Sequence, residues 1–261
     1  MNCELEEILT TRDLAVGYRD GKRVKRLLEN VNLGLRSGHL TALLGRNGAR
    51  KSTLLRALSR SDKPIEGSIT LRGIDIGTLS NAEWSRLVAI VTTDRIAAGA
   101  LTVTELVALG RQPYTGLLGW LDNDDRDIVA QAVNDVGLND KASRYISSLS
   151  DGERQKAMVA RALAQQTPII LLDEPTAFLD VASRIEILRL LRHVTDDLGR
   201  TVLLSTHDVG QTLTVTDDLW VIDREGRVHS GAAHTIIDSG VLDTVFPNGT
   251  VRFNPARMEY E

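Results

Sequence analysis

Gly45-Arg46-Asn47-Gly48-Ala49-Arg50-Lys51-Ser52-Thr53 is the stretch on which the reading of this chain turns. His39 to Leu44, just before it, reads as a short buried strand, and Leu54, Leu55 and Leu58, just after it, recur at the spacing of one helix face. A glycine-containing loop between a strand and a helix is the setting of a phosphate-binding loop. Backbone N–H groups at a helix start point outward and carry partial positive charge, so they attract phosphate oxygens. Gly45, Arg46, Asn47, Gly48, Ala49, Arg50 and Thr53 are therefore candidate phosphate contacts. Lys51 would reach the β- and γ-phosphates, and the Ser52 hydroxyl would ligate Mg²⁺. The usual spacing is G-x-x-x-x-G-K-[ST], and Arg50 stands where the second glycine is expected. Glycine there lets backbone and phosphate approach without a Cβ between them.

Outward from this loop the chain alternates strands and helices. An early strand is expected at about Ile8 to Val16, then a turn at Arg19-Asp20-Gly21-Lys22 and a second extended stretch. Ile69 to Leu71 and Val88 to Val91 read as further strands. From about Thr93 to Ser148 helical periodicity takes over, through Val103, Leu106, Val107 and Leu109, then Ile128, Val129, Ala132, Val133 and Val136. This reads as a helical insertion in an α/β domain. Ile169 to Leu172 and Thr201 to Ser205 suit parallel strands covered on both faces, with a helix of about Ser183 to Leu198 between them. Turn signals at Arg224-Glu225-Gly226 and Asn248-Gly249 punctuate a tail of short strands and a helix.

With 261 residues, 42% hydrophobic and 25% charged, the composition is that of an ordinary globular protein large enough to bury a core without staples. Net charge is −4, which supplies no basic field for nucleic acid, so no nucleic-acid partner is expected. Cys3 is the single cysteine and cannot form an internal disulfide. Acidic residues stand near the start where a signal peptide would carry lysines, and no apolar run approaches the ~20 residues that span a bilayer. A role at a membrane would therefore require a partner to hold the chain there.

Three more stretches carry chemistry. Ile169-Ile170-Leu171-Leu172-Asp173-Glu174-Pro175 is an apolar strand ending in two carboxylates. Asp173 would hold Mg²⁺ and Glu174 would polarise an attacking water as general base, although solvated acids at a strand end have the same spelling. Leu149-Ser150-Asp151-Gly152-Glu153-Arg154-Gln155 offers a hydroxyl and free N–H groups to an anion, and by itself also reads as a helix N-cap with its capping acid. Ser205-Thr206-His207-Asp208 follows a strand, and a histidine there can meet a γ-phosphate; His39, His193, His229 and His234 read as structural.

In this order, the motifs resemble the nucleotide-binding subunits of ABC transporters. Lys51 to Thr53 looks like the end of Walker A, Leu149 to Glu153 like the family signature, and Leu171 to Pro175 like Walker B. Thr176 to Asp180 looks like the D-loop, His207 resembles the switch histidine, and Tyr18 stands where the family places an aromatic against adenine. Val103 to Tyr114, together with Leu149 to Lys156, is similar to the iron–siderophore, haem and cobalamin importer branch.

The resemblance implies a P-loop NTPase (RecA-like) core with an antiparallel β subdomain. The core would occupy about residues 6–92 and 159–261, and an inserted helical subdomain about 93–158. It implies ATP and Mg²⁺ as cofactors and a position at the cytoplasmic face of the plasma membrane. The implied partners are a second copy of the chain, two membrane permeases and, through them, an extracytoplasmic binding protein. Each ATP would lie between Gly45 to Thr53 of one copy and Ser150, Asp151, Gly152 and Glu153 of the other, with Asp180 nearby.

The chain departs from the family at two positions. Thr93 stands where the family has the glutamine that touches Mg²⁺ and couples to the permease. Arg50 is expected to crowd the phosphates, and a non-glycine residue held in a glycine-type conformation carries ~1–3 kcal/mol of strain. Together they raise an alternative, a nucleotide-binding or regulatory subunit with impaired hydrolysis.

Overall fold

The computed structural model describes residues 6–21, 23–46, 48, 50–92, 100–116, 119–246, 253–254 and 259–260. In chain order the first elements are β1 (Glu7–Asp20), β2 (Arg23–Arg36), β3 (Leu40–Leu44), α1 (Lys51–Leu58), β4 (Glu66–Leu71) and β5 (Ile74–Asp75). Next come α2 (Asn81–Ser85), β6 (Val88–Val91), α3 (Val103–Ala108), α4 (Asn123–Asp135), α5 (Asp151–Ala164), β7 (Ile169–Asp173) and α6 (Val181–Asp196). The chain continues with β8 (Thr201–Thr206), α7 (Gly210–Leu213), β9 (Asp218–Ile222), β10 (Val228–Ala232), α8 (Ala233–Asp238) and α9 (Val241–Val245). A short antiparallel pair, β11 (Phe253–Asn254) and β12 (Glu259–Tyr260), follows. The contacts group these elements into two compact units, residues 1–79 with 191–261, and residues 80–190.

In the first unit, β2, β1, β4 and β5 form an antiparallel sheet. Strand β2 alternates where it nears its end: Val31, Leu33 and Leu35 are buried while Asn32 is exposed, the period-2 pattern of a sheet with one covered face. Strand β3 lies between β9 and β8 and is parallel to both, and β10 pairs antiparallel with β9. Every residue of β3, β8 and β9 is buried, which is why their sequences are continuous apolar runs broken only by small polar residues and Asp218. Asp218 is held by Arg36 and by His39, whose Nδ1 lies 2.7 Å from its Oδ2. Trp220 on β9 is among the largest fully buried side chains.

In the second unit β6 and β7 pair in parallel, and α3, α4 and α5 pack on one another. Each of these three helices begins with a capping box: Thr102 with Glu105, Asp122 with Asp125, and Ser150 with Glu153. Reciprocal bonds of this kind satisfy N–H groups that a helix start leaves unpaired and contribute ~1 kcal/mol per cap. Asp122 to Asp125 thus forms a helix start whose last acid is buried. Asp125 is buried against Arg111, with Arg111 Nε 2.7 Å from its Oδ1. Among the described residues no helix is long and apolar enough to cross a membrane.

Candidate functional site

The strand register brings two of the candidate motifs to one edge. Leu44, the last residue of β3, pairs with Thr206, the last of β8. The loop that begins at Gly45 and the turn that carries His207 therefore leave neighbouring parallel strands at the same level. In parallel α/β sheets this carboxyl edge is where ligands bind. His207 is exposed, and the turn behind it is fixed by Asp208 N–H donating to Thr206 Oγ1 at 3.0 Å.

The described residues of the phosphate-loop candidate are Gly45, Arg46, Gly48 and Arg50 to Thr53. Gly48 has φ +79, a conformation that L side chains rarely adopt, and open space where a Cβ would stand. Lys51 is buried, and its Nζ donates to Gly45 O at 2.9 Å, bracing the loop from its end to its start. Ser52 is exposed one residue into α1. Arg50 stands at the N-cap position of that helix with φ 71 and ψ 16, a left-handed conformation that glycine adopts without strain. Its guanidinium turns away to the Leu27 carbonyl on β2. Asn47 and Ala49 lie outside the described residues, as does Thr93.

Tyr18, Ser52 and Thr53 share a cleft of about 820 Å³ with Lys63 and Pro64. The Tyr18 ring is half exposed and carries Lys25 Nζ at 5.5 Å from its centroid. Arg56 and Asp62 also line this cleft and are joined by two bonds of 2.7 and 3.1 Å. Sequence reasoning missed them, although the charged, proline-ended run Ser61-Asp62-Lys63-Pro64 shortly after α1 marks a loop that could have pointed to Asp62.

In the second unit, Val91 at the end of β6 pairs with Leu172, so Asp173 and Glu174 emerge just past a parallel edge as well. Glu174 has φ 45, a strained backbone for a non-glycine residue, and its carbonyl accepts from Ala177 N–H at 3.0 Å. Ser150, Gly152, Glu153 and Asp180 are brought together. Ser150 Oγ accepts from Glu153 N–H, and the Glu153 carboxylate accepts from Ser150 N–H at 2.9 Å and from Lys141 Nζ at 2.6 Å. The Lys141 bond, then that of Ser150, lowers the Glu153 pKa. Gly152 packs so closely on Ser183 that a Cβ would lie 2.9 Å from its Oγ. That hydroxyl and Ser183 N–H both donate to Asp180, each at 2.9 Å, and hold the Asp180 carboxyl below its ordinary pKa. Asp151 pairs with Arg154.

In the first unit Gly48, Lys51 and Ser52 have the chemistry that a nucleotide's phosphates require. Among the described residues no three His, Cys, Asp or Glu side chains gather into a metal cage. Mg²⁺ characteristically takes one or two protein ligands and completes its shell with phosphate oxygens and water.

Comparison with known proteins agrees. The family model described as ABC transporter matches residues 28–177. The achromobactin transport ATP-binding protein of Dickeya dadantii is 36% identical over 238 residues, 91% of this chain and 87% of that protein. The iron(3+)-hydroxamate import ATP-binding protein of Bacillus subtilis is also 36% identical, over 91% of this chain and 87% of its own. Among solved structures, a dimeric ATP-binding cassette in a post-hydrolysis state with ADP and Pi superposes with a TM-score of 0.73. It is 27% identical and covers 86% of this chain and 98% of that one.

Proposed function

Since the chain belongs to the ABC transporter family, as one of its ATP-binding ATPase subunits, we propose that it drives import of a metal chelate. Iron–siderophore complexes are the leading cargo, with haem and cobalamin as the related ones. The observation that carries the reading is the shared edge at Leu44 and Thr206, where the braced phosphate loop and His207 leave adjacent strands. The relatives' roles in achromobactin and iron-hydroxamate transport support the cargo class.

In this reading the Gly45 to Thr53 backbone and the Lys51 ammonium bind the phosphates, and Tyr18 stacks on the base. Ser52 and Asp173 would hold Mg²⁺, which supplies charge neutralisation at the phosphoryl oxygens. Glu174 orients and deprotonates the attacking water, and His207 contacts the γ-phosphate. Two copies close head to tail, with Ser150, Asp151, Gly152 and Glu153 of one completing the site of the other; the likeness to a dimeric cassette with ADP and Pi supports a two-copy assembly. Thr93 takes the place of the coupling glutamine. The helical region of about residues 93–158 meets two permeases at the cytoplasmic face of the membrane, and an extracytoplasmic binding protein delivers the cargo to them.

The test is Mg-ATP hydrolysis by the purified chain beside Glu174→Gln, together with co-purification from membranes. Hydrolysis abolished by Glu174→Gln, and a permease retained on the tagged chain, are the expected results. Hydrolysis unaffected by Glu174→Gln would overturn the catalytic assignment. Failure to retain any membrane protein would overturn the transporter assignment.

A further inference from the structure

Arg50 does something that the glycine normally expected at its position does not. Its left-handed backbone, φ 71, carries a steric penalty that glycine lacks, and no side-chain bond caps α1 there. What the side chain does instead is reach out of the loop. Nη1 donates to the carbonyl of Leu27 in a partly buried position. Leu27 is the residue that the β1–β2 ladder passes over: Val16 pairs with Leu28 and Gly17 with Arg26, so a bulge falls at Leu27. The acceptor that Arg50 uses thus stands at an irregularity of the sheet.

A second residue makes room for this contact. Gly226, in the turn between β9 and β10, has φ +89, and a Cβ built on it would lie 2.6 Å from Arg50 Nη1 and 3.2 Å from Leu27 O. A Cβ there would press on the tip of the guanidinium and on the carbonyl it meets, so the contact could not stay as it is. The turn is held firmly. Asp223 Oδ1 accepts from Arg227 N–H at 2.8 Å and its Oδ2 from Arg227 Nε at 3.0 Å, His229 Nε2 lies 3.0 Å from the same Oδ2, and Gly226 N–H donates to Asp223 O at 3.2 Å.

Resting on the nucleotide-binding reading, we propose that Arg50 is a positioning residue of the phosphate loop. Its guanidinium, seated over Gly226, ties the start of α1 to the bulge on β2. Directly across that bulge, β1 runs through Gly17 into Tyr18, which lines the same cleft as Ser52 and Thr53. The tether therefore fixes Lys51 and Ser52 relative to Tyr18, so that the phosphate end and the base end of the cleft keep their spacing. A glycine in the same loop relies on its backbone alone.

The experiment is a double-mutant cycle on the full chain with Arg50→Ala, Gly226→Ala and the double variant, and Arg50→Lys beside it. The readouts are affinity for a fluorescent ATP analogue and amide hydrogen exchange of residues 50–54 without nucleotide. Arg50→Ala keeps the Cβ and removes the tether, and should weaken analogue binding about tenfold, the scale of one hydrogen bond from a charged donor. Gly226→Ala should weaken it similarly in the parent chain and add little to Arg50→Ala, since both remove the same contact. Arg50→Lys should recover only part of the loss. Exchange should rise in the single variants by a comparable factor. Unchanged affinity and exchange in Arg50→Ala, or strictly additive effects, would overturn the tether. If neither the parent chain nor any variant binds the analogue but exchange still shows the coupling, the nucleotide reading fails and the tether stands.

Discussion

The ion pair of Arg111 and Asp125 offers the sharpest test of how the helical unit is held together. Arg111 lies within Val103 to Tyr114, the stretch similar to importer subunits, yet its guanidinium is turned inward. Its side chain is 6% exposed and that of Asp125 9%. Arg111 Nε donates to Asp125 Oδ1 at 2.7 Å, and Nη1 donates to Ala164 O and to Gln166 Oε1, each at 2.9 Å. The Tyr114 ring covers the guanidinium at 4.0 Å, and Tyr114 OH donates to Gln165 O at 3.1 Å. Asp125→Ala leaves a cation in this site with two neutral acceptors and no counter-charge. Breaking a buried pair from one side costs ~3–5 kcal/mol. The substitution also removes the carboxylate that accepts from Asp122 N–H, which adds less, because Asp122 still caps Asp125 N–H at 2.8 Å. At ~2–4 °C per kcal/mol for a chain of this size class, the melting temperature should fall by roughly 6–20 °C. Asp125→Asn keeps an acceptor without the charge and should fall between that variant and the parent. Arg111→Met combined with Asp125→Leu removes both charges and should recover most of the loss, because neither ion is then desolvated. Thermal and urea unfolding followed by circular dichroism measure these chains beside the parent and the single variants Arg111→Met and Asp125→Leu. A loss below ~1 kcal/mol for Asp125→Ala, or a double variant as unstable as the sum of its single variants, would refute the argument.

Three further outcomes are expected. Asp223 has its pKa lowered from 3.8 to about 2: burial alone would raise it, but the bonds from His229 and Arg227 outweigh that. Its stabilisation is therefore complete above about pH 4 and is lost as pH falls from there through 2. Asp223→Asn should lower stability by ~2 kcal/mol at pH 7 and by little near pH 2; urea unfolding that shows an equal difference at both pH values would contradict this. Gly152→Ala would drive a methyl against Ser183 and should cost ~1–3 kcal/mol, with Ser183→Gly restoring most of it; a variant of parental stability would show that Ser183 yields freely. Tyr18→Ala should weaken ATP about tenfold through lost stacking and leave inorganic tripolyphosphate binding unchanged, so an equal loss for both ligands would remove Tyr18 from the base site.

The order of strands and helices was legible in the sequence because its signals are local. Runs such as Ile169 to Leu172 and Thr201 to Ser205 are too short and too apolar for anything but covered strands, and they are β7 and β8 with one more residue each. Ser150 and Glu153 spell a capping box three residues apart and form one. The candidate site was legible in the same way, as short motifs at strand ends. Strand limits were less so: β1 runs on to Asp20 because cross-strand pairing with β2 supports its polar end, which local apolar pattern does not record.

Sequence alone determined that Gly45 to Thr53 links a strand to a helix, and that Asp173 ends β7 with Glu174 just after it, because chain neighbours stay neighbours in space. Tertiary structure decided which strand ends share an edge, through the pairing of Leu44 with Thr206 across more than half the chain. It decided that Asp125 is buried with Arg111 rather than solvated, because the packing of α4 on α5, not the acidity of the run, sets its surroundings. It also decided the direction of Arg50. A guanidinium reaches several ångströms from its backbone, so what it touches depends on where β2 and the turn at Gly226 arrive, and that is information no local pattern holds.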